Sequence, residues 1–365
     1  MPLPISRDIA SLTPYSPGKP IEELERELGI QNAIKLASNE NPLGPSKKAL
    51  EVVDKVLTGL HRYPEGSGVK LREALADRAK IQPSQVVLGN GSNEIIELLV
   101  RSFMQPGDEA IMADLTFVVY QMIVKAAHGG PVMVPLQNSC HDLETMAGRL
   151  TPKTRLIFIC NPNNPTGTMV SQGQVDAFLR QIPDDVITVF DEAYYEYVTD
   201  RSFPDSLRYL GQGKNVTILR TFSKIYGLAG LRIGYGLTTE EIAGILNRVR
   251  QPFNTNRLAQ VAALAALQDD DHVQRSLGSN EEGKSMLCSA FQELGLKYLP
   301  TQTNFIYVDV GRPGQDIYSR LLKQGVIVRH IEGRHLRVTI GLPEENRQFI
   351  EVLKQVLHSK AGGSK

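Results

Sequence analysis

Three short apolar runs, each followed at once by polar residues, constrain the fold of this 365-residue chain more than any other feature. The runs are residues 156–160, 186–190 and 216–219. Runs of this length that are apolar, apart from Thr188 and Thr217, are typical of strands that are buried on both faces of a parallel sheet. Strand and helix patterns alternate from about residue 86 to residue 235, so the sequence predicts an α/β fold with a mostly parallel sheet.

The residues that follow these three runs carry chemically useful groups. The turn Asn164-Pro165-Thr166-Gly167 follows the first run, Asp191 the second and Lys224 the third. In open α/β sheets, ligands lie outside the carboxyl ends of the strands, so these groups are expected to converge on one crevice. Taken singly, Asn-Pro-Thr-Gly needs no ligand to form a turn, and an Asp after a strand often caps a helix. Their joint occurrence in this order favours a site.

Lys224 lies in a loop of hydroxyl-bearing, small and glycine residues, eight positions before Arg232. An apolar setting beside another cation lowers the proton affinity of a lysine, and a neutral lysine attacks carbonyl groups. A solvated surface charge is the ordinary alternative for a lone loop lysine. We hypothesise that Lys224 holds a carbonyl cofactor as a Schiff base.

A glycine turn, Gly89-Asn90-Gly91-Ser92-Asn93, connects a short strand at residues 86–88 to a helix at residues 94–103. Unpaired backbone N–H groups at a helix N-terminus, together with the helix dipole, form a cradle for anions. The turn is neither a complete GxGxxG motif nor a Walker A motif. A tight turn with a polar cap explains this segment equally well.

Composition excludes several classes of protein. Lys and Arg together number 40, as do Asp and Glu, so the chain lacks the basic surplus of a nucleic-acid-binding protein. No apolar stretch reaches the roughly 18–20 residues that cross a bilayer, and the N-terminus lacks a signal-peptide pattern. Three cysteines without a CxxC pair favour a reducing cytoplasm. The histidine spacing gives no reason to expect a metal site.

Together, these motifs resemble those of the fold-type-I pyridoxal-phosphate aminotransferases (class II), over essentially the whole chain. The signature consists of the Asn164 turn, the segment Asp191-Glu192-Ala193-Tyr194, and Ser223-Lys224 followed by Arg232. Within this family the chain resembles the histidinol-phosphate aminotransferases most. That narrower resemblance depends on residues 36–46, residues 62–64, residues 89–94 and residues 336–341.

The resemblance implies how pyridoxal 5′-phosphate is bound. Lys224 would bind its carbonyl carbon and move the substrate proton as general base and acid. Asp191 would pair with the pyridine nitrogen and keep it protonated. Asn164 and Tyr194 would hydrogen-bond the 3-oxygen of the ring, and Phe117 would stack on the ring face.

The resemblance also implies a phosphate site and a homodimer. The groups expected to hold the phosphate are Gly91, Ser92, Asn93, Thr221, Ser223 and Arg232. By resemblance, Tyr63 reaches the same phosphate from the neighbouring subunit, so the active site would require two copies of the chain. An ordinary loop aromatic is the alternative for Tyr63.

Two arginines near the C-terminus are expected to bind the substrate. Arg337 lies within a strand-like run, where a buried arginine is costly unless it is paired. By resemblance, it would take the α-carboxylate of glutamate in one half-reaction and the phosphate of histidinol phosphate in the other. Arg329 would assist, with a surface salt bridge as the alternative. Tyr15 and Asn39, from the N-terminal arm, would line and cover the site.

The resemblance implies a large domain of residues 46–260, with a mostly parallel seven-stranded sheet between helices. Residues 1–45 and 261–365 would form a smaller α+β domain, ending in a polar tail at residues 360–365 that is expected to fray.

The implied reaction is transamination of L-histidinol phosphate with 2-oxoglutarate in histidine biosynthesis, which gives imidazole-acetol phosphate and L-glutamate. Aromatic aminotransferases and threonine-phosphate decarboxylases share the scaffold, so they stay open as alternatives. A ligand-sensing domain of a transcription regulator is a remote alternative. It would need a DNA-binding module, for which the first 45 residues are too short and too rich in proline.

Overall fold

The computed structural model describes residues 3–15 and 18–359, so the predicted polar tail lies outside the described residues. The helices are α1 (Arg7–Ala10), α2 (Ile21–Leu28), α3 (Lys47–Val56), α4 (Val69–Ala79), α5 (Ser92–Phe103), α6 (Val119–Ala126), α7 (Leu143–Gly148), α8 (Gln172–Leu179), α9 (Leu207–Gly211), α10 (Glu240–Val249), α11 (Arg257–Ala266), α12 (Asp270–Glu293), α13 (Gly314–Lys323) and α14 (Pro343–His358). The strands are β1 (Ile34–Lys35), β2 (Val86–Gly89), β3 (Glu109–Ala113), β4 (Gly130–Val134), β5 (Thr154–Cys160), β6 (Ile187–Asp191), β7 (Val216–Thr221), β8 (Gly234–Thr238), β9 (Lys297–Tyr298), β10 (Phe305–Asp309), β11 (Val326–Ile327), β12 (Arg329–His330) and β13 (His335–Thr339). None of the helices within the described ranges combines the length and the apolar character needed to cross a membrane.

The largest sheet has seven strands in the order β2-β8-β7-β6-β5-β3-β4. Neighbouring strands run parallel except at β8, which is antiparallel to both β2 and β7. The prediction of a mostly parallel seven-stranded sheet is therefore confirmed. The three apolar runs of the sequence become β5, β6 and β7, which are adjacent in the middle of this sheet.

The central strands are apolar on both faces because helices cover both sides of the sheet. Side chains alternate between the faces of a strand, and β5 supplies two separate cores in this way. Phe158 packs into one core with α5, α6 and α10, and Ile157 and Ile159 pack into the other with α7 and α8. Helices thus cover both faces of the sheet, and its charged side chains lie at or near the strand ends.

A second, antiparallel sheet has the order β12-β13-β10-β9, and β1 pairs in parallel with β11 to form a separate two-stranded sheet. The apolar faces of α12, α13 and α14 pack against these strands. Residues from both ends of the described chain therefore pack into one hydrophobic core. This pairing supports the grouping of residues 1–45 with residues 261–365, which stays a proposal together with its boundaries.

The sequence pattern of residues 114–120 predicts a helix that opens at Asp114. In the structure α6 begins five residues later, at Val119, so that prediction is wrong. The Asp114 side chain accepts a hydrogen bond from the backbone N–H of Leu115 at 2.7 Å. Such local side-chain bonds compete with helix formation. The resulting bend carries Phe117 into the wall of a cavity.

The N-terminal segment is locked against the Lys224 loop by a close backbone approach. Gly227 has a φ of +67°, and a Cβ at this position would lie 2.2 Å from the carbonyl oxygen of Gly44. Only glycine allows this approach without a shift of the backbone. Nearby, the Asn41 side-chain amide donates to the carbonyl of Ile225 at 2.7 Å. The segment that leads into α3 is therefore fixed beside Lys224.

Candidate active site

The carboxyl ends of β5, β6 and β7 meet at one edge of the seven-stranded sheet. Asn164 follows β5, Asp191 ends β6 and Lys224 follows β7. Asp191 is the register partner of Cys160, the last residue of β5. The predicted convergence of a turn, an acid and a lysine is therefore present in the structure.

The antiparallel strand β8 brings a second group of residues to the same edge. Because β8 runs in the opposite direction, its first residue, Gly234, pairs with Gly89 at the end of β2. Arg232, just before β8, therefore lies beside the glycine turn that precedes α5. A parallel strand would have placed this arginine at the far edge of the sheet.

A cavity of about 480 Å³, here called the first cavity, opens at this edge. That volume is typical of sites for small molecules. Most of the predicted site residues line it, namely Tyr15, Asn39, Ser92, Asn93, Phe117, Asn164, Asp191, Tyr194, Thr221, Ser223, Lys224, Arg232 and Arg337.

Asp191 is buried, and two donors fix its carboxylate. The Tyr120 hydroxyl donates to one oxygen at 2.6 Å, and the backbone N–H of Ala193 donates to the other at 3.2 Å. Burial raises the pKa of Asp191 to about 6, against the opposing effect of these two hydrogen bonds. Near neutral pH the carboxylate is thus ionised but poorly solvated, which favours pairing with a cationic ring nitrogen.

Lys224 is partly exposed to the first cavity, where its Nζ donates to the carbonyl oxygen of Ser38 at 3.1 Å. Burial, together with the positive charges of Arg337 and Arg232, lowers the pKa of Lys224 to about 8. A substantial neutral fraction therefore exists near pH 8, as a nucleophile toward a carbonyl requires.

The glycine turn and Arg232 form a site suited to a phosphate. Gly91 has a φ of +77°, which favours glycine, and the guanidinium of Arg232 lies against it. No side chain caps the N-terminus of α5, which begins at Ser92. Arg232 also lies 3.4 Å from the Ser223 hydroxyl. Backbone N–H groups, hydroxyls and a permanent cation are thus directed to one place.

Tyr194 lies three residues after Asp191, and Asn164 follows β5, the neighbouring strand on the side away from Arg232. The buried hydroxyl of Tyr194 accepts a hydrogen bond from the Asn39 amide at 2.8 Å. Burial raises the pKa of Tyr194, so its phenol keeps a proton to donate. This arrangement suits an oxygen atom on the cofactor ring.

Arg337 is a buried cation whose hydrogen bonds go to neutral groups. Its guanidinium donates to the Asn164 side-chain oxygen at 2.6 Å and to the carbonyl of Ala37 at 2.5 Å, while its Nε has no partner among the described residues. Within residues 3–15 and 18–359, no carboxylate forms a salt bridge with it. Burial lowers its pKa, yet arginine stays charged. An anionic ligand would offset this cost.

A second cavity, of about 280 Å³, adjoins the first and shares Tyr15, Phe117, Asn164 and Arg337 with it. Arg329 lines only the second cavity, 5.6 Å from the centre of the Tyr15 ring. Arg329 and Arg337 are directly opposite partners on β12 and β13. Like charges in this position repel each other, so both arginines favour an anion between them.

Tyr63 lies apart from both cavities. Its side chain is 80% exposed and stacks on Phe253, with ring centroids 4.7 Å apart. The structure of a single chain therefore leaves Tyr63 available for a contact with another molecule.

The sequence did not predict several residues that hydrogen-bond to the site side chains and orient them. Tyr120 is the clearest, because its hydroxyl orients Asp191. Tyr120 could have been predicted from its spacing of three residues from Phe117. One turn of backbone places both rings on the same side, where they meet edge to face. The backbone carbonyls of Ala37 and Ser38 are also partners of the cations, but no side-chain pattern predicts them.

The donor set fits pyridoxal phosphate. The buried carboxylate of Asp191 suits a cationic ring nitrogen, the amine of Lys224 with its lowered pKa suits a carbonyl, and Arg232 beside a helix N-terminus suits a phosphate. Among the described residues, no group of three or more His, Cys, Asp or Glu side chains could hold a metal ion.

Comparisons with known proteins identify the family of the chain. A family profile described as "Aminotransferase class I and II" matches residues 31–353. Histidinol-phosphate aminotransferase from Moorella thermoacetica is 51% identical over 354 residues, which cover 96% of this chain and 92% of that protein. Histidinol-phosphate aminotransferase 1 from Nitrosococcus oceani is 49% identical over 353 residues, with coverages of 96% and 95%.

A solved structure shows the same architecture. The histidinol-phosphate aminotransferase from Sinorhizobium meliloti, determined in complex with pyridoxal-5′-phosphate, superposes with a TM-score of 0.88 at 27% identity. The match covers 97% of each chain. Together with the family profile, it confirms the predicted fold class.

The lowered pKa of Lys224 predicts how the reactivity of its amine depends on pH. In cofactor-free protein, trace reductive methylation of Lys224 should reach half its maximum near pH 8, because the neutral amine is the reactive form. Surface lysines should continue to gain reactivity up to about pH 10.4. Peptide mass spectrometry at each pH measures both.

The variant Arg337→Gln provides the control, because it removes one of the two cations that lower this pKa. Its Lys224 half-point should move to higher pH. Lys224 labelling that followed the surface lysines in the unmodified protein would contradict this account of the site.

Proposed function

The chain belongs to the class I and II aminotransferase family, and on that basis we propose that it transfers the amino group of L-histidinol phosphate to 2-oxoglutarate. The products are imidazole-acetol phosphate and L-glutamate, in a step of histidine biosynthesis. Relatives that are 49–51% identical over nearly the full chain carry this activity in their names. The cofactor is pyridoxal 5′-phosphate.

The buried, anion-free guanidinium of Arg337 is the observation that carries the choice of substrate. Glutamate carries a carboxylate on the reacting carbon, whereas histidinol phosphate carries a phosphate one carbon farther away. Both substrates can bring an anion to Arg337, with Arg329 on the neighbouring strand to share the larger charge of the phosphate. One pair of cations thus serves both half-reactions.

The cofactor contacts are proposed residue by residue. Asp191 holds the ring nitrogen, while Asn164 and Tyr194 donate to the 3-oxygen. Phe117 covers one face of the ring. The phosphate is held by the turn at Gly91, Ser92 and Asn93, together with Thr221, Ser223 and Arg232.

When bound, pyridoxal phosphate supplies a carbonyl for the amino group and a ring that withdraws electrons from the substrate Cα. Lys224 is the proton carrier. Its Nζ would take a proton from the substrate Cα as general base and deliver it to the carbonyl carbon of the cofactor as general acid. A pKa near 8 suits both directions, because the two protonation states coexist near neutral pH.

The substrate is enclosed from two sides in this proposal. Tyr15, from the N-terminal arm, lies over Arg329, and Asn39 forms part of the cavity wall. Their positions would exclude water from the reacting carbon.

A homodimer is the assembly that we propose. Exposed large apolar side chains gather on and near α3, namely Leu50, Leu57, Leu60, Tyr63 and Phe253. An apolar surface of this kind favours a partner protein over water. In the dimer, Tyr63 would reach the phosphate in the partner's active site.

The cytoplasm is the proposed compartment. The three cysteines, Cys140, Cys160 and Cys288, are all free thiols in the structure. Free thiols persist in a reducing compartment.

The substrate assignment predicts a ranking of amino donors. With 2-oxoglutarate as acceptor, kcat/KM for histidinol phosphate should exceed kcat/KM for phenylalanine and for tyrosine by at least about tenfold, because only the phosphate engages both arginines fully. Steady-state kinetics with the three donors measures the ranking. A preference for phenylalanine would identify an aromatic aminotransferase, and carbon dioxide release from threonine phosphate would identify a decarboxylase.

A matched pair of arginine variants sharpens this test. Arg329→Gln should lower kcat/KM for histidinol phosphate by roughly tenfold or more, because a charge-assisted hydrogen bond is lost. Arg334→Gln should leave it unchanged, since Arg334 pairs with Asp309 outside both cavities. Equal effects of the two substitutions would contradict the proposed phosphate contact.

The dimer proposal predicts complementation between two defective variants. Tyr63→Phe should bind the cofactor roughly tenfold more weakly, because one hydrogen bond to the phosphate is lost. Lys224→Ala should be inactive. In a mixed dimer, the Tyr63→Phe subunit keeps Lys224 and receives an intact Tyr63 from its partner.

At limiting cofactor, subunit exchange between the two variants should therefore raise activity above the sum of the separate proteins. Native mass spectrometry, with one variant isotopically labelled, would follow the exchange. Activity that stayed equal to that sum after complete exchange would contradict a shared active site.

A further inference from the structure

The hydroxyl of Thr339 makes two hydrogen bonds to one residue that is 300 positions away in sequence. It accepts from the backbone N–H of Asn39 at 3.0 Å and donates to the side-chain oxygen of Asn39 at 2.9 Å. The other end of the Asn39 amide donates to the Tyr194 hydroxyl at 2.8 Å. All three side chains are buried. A continuous series of hydrogen bonds therefore links Thr339 on β13 to Tyr194, a proposed cofactor contact.

The single proton of the Thr339 hydroxyl determines which group donates and which accepts in each of these hydrogen bonds. Because the backbone N–H of Asn39 already points at the hydroxyl oxygen, the hydroxyl proton needs a separate acceptor. Among the described residues, only the Asn39 side-chain oxygen accepts it. The amide nitrogen must then face Tyr194, and the phenol oxygen must accept.

If the donors and acceptors were reversed, the nitrogen and oxygen of the Asn39 amide would exchange places. Its nitrogen would then face Thr339, leaving the Thr339 proton without an acceptor in a buried place, which is costly. Its oxygen would face Tyr194 and take the phenol proton. The hydroxyl of Thr339 therefore decides whether that proton is available to another ligand.

We propose that Thr339 is a positioning residue, which orients the Asn39 amide so that the Tyr194 phenol keeps its proton for the 3-oxygen of the cofactor. The inference rests on the proposed pyridoxal phosphate site. Valine at position 339 would fill the same space but let the amide turn.

The backbone around Asn39 supports a role beyond packing. Asn39 has a φ of +56°, in the left-handed region that non-glycine residues seldom occupy. Its carbonyl accepts from the Asn304 side chain at 3.0 Å, which holds this conformation. Local strain of this kind persists where surrounding contacts determine the geometry.

Thr339 is also two residues from Arg337, on the same face of β13. One face of this strand thus holds the proposed substrate cation and the group that orients the Tyr194 phenol. A shift of β13 on substrate binding would reach the cofactor through Asn39.

The experiment is a spectroscopic pH titration of protein loaded with pyridoxal phosphate, without substrate. A proton donor at the 3-oxygen stabilises its anionic form, so loss of that donor should favour the protonated chromophore. In Thr339→Val, the pH at which the visible absorption band changes should rise by about one unit. Thr339→Ser keeps the hydroxyl and should titrate as wild type.

Two further variants separate this role from simple destabilisation. Thr217→Val removes a buried hydroxyl that bonds only within the seven-stranded sheet, to Thr238 at 2.9 Å, and should not shift the titration. In a Tyr194→Phe background, Thr339→Val should add no further shift, because its effect passes through the phenol. The ionisable groups that face Tyr194, namely Lys224, Arg337, Asp191 and Cys160, stay in place in all variants.

An unshifted Thr339→Val protein, or the same shift with and without Tyr194, would overturn the inference. Either result would leave the proposed function intact, because the titration uses no substrate. Wild-type protein that took up no pyridoxal phosphate would overturn the proposed function and this inference together.

Discussion

The active site depends on one stretch of backbone, residues 36–39, which lies between the two larger sheets. Leu36 binds β11 and β13 through its backbone, and the carbonyl of Ala37 accepts from Arg337. The next carbonyl, that of Ser38, accepts from Lys224 on the loop after β7. Asn39 then reaches Tyr194 after β6. Consecutive residues thus fix the proposed substrate cation, nucleophile and phenol relative to each other.

The charges of the site are arranged for ligands that the chain itself does not supply. Burial lowers the pKa of Lys224 and of Arg337 and raises the pKa of Asp191, so all three groups are poorly solvated in their charged forms. Such groups reduce the stability of a protein by itself, since buried charges are costly without partners. A phosphate near Arg232, a ring nitrogen at Asp191 and a substrate anion at Arg337 would each relieve one of these costs. The buried charges that lower the stability of the ligand-free protein would therefore favour the binding of ligands.

The sequence was sufficient to predict which groups meet at the strand ends. Asp191 and Lys224 could be predicted because apolar runs locate the strands, and parallel strands end at one edge. The sequence was insufficient where tertiary contacts decide the geometry. The helix start at Asp114 was wrong because a local side-chain bond displaced it, and Tyr120 and Thr339 escaped because their partners are distant in sequence. The reversed direction of β8, which brings Arg232 to the site, also carries no local signal.

The most direct measurement is to trap the cofactor chemically and find the residue that carries it. Protein loaded with pyridoxal phosphate would be reduced with sodium borohydride, digested and mapped by mass spectrometry. The account predicts that the added mass of the reduced cofactor lies on the Nζ of Lys224, and that Lys224→Arg protein carries none. Cofactor mass on another lysine, or none on Lys224 in the unmodified protein, would contradict it.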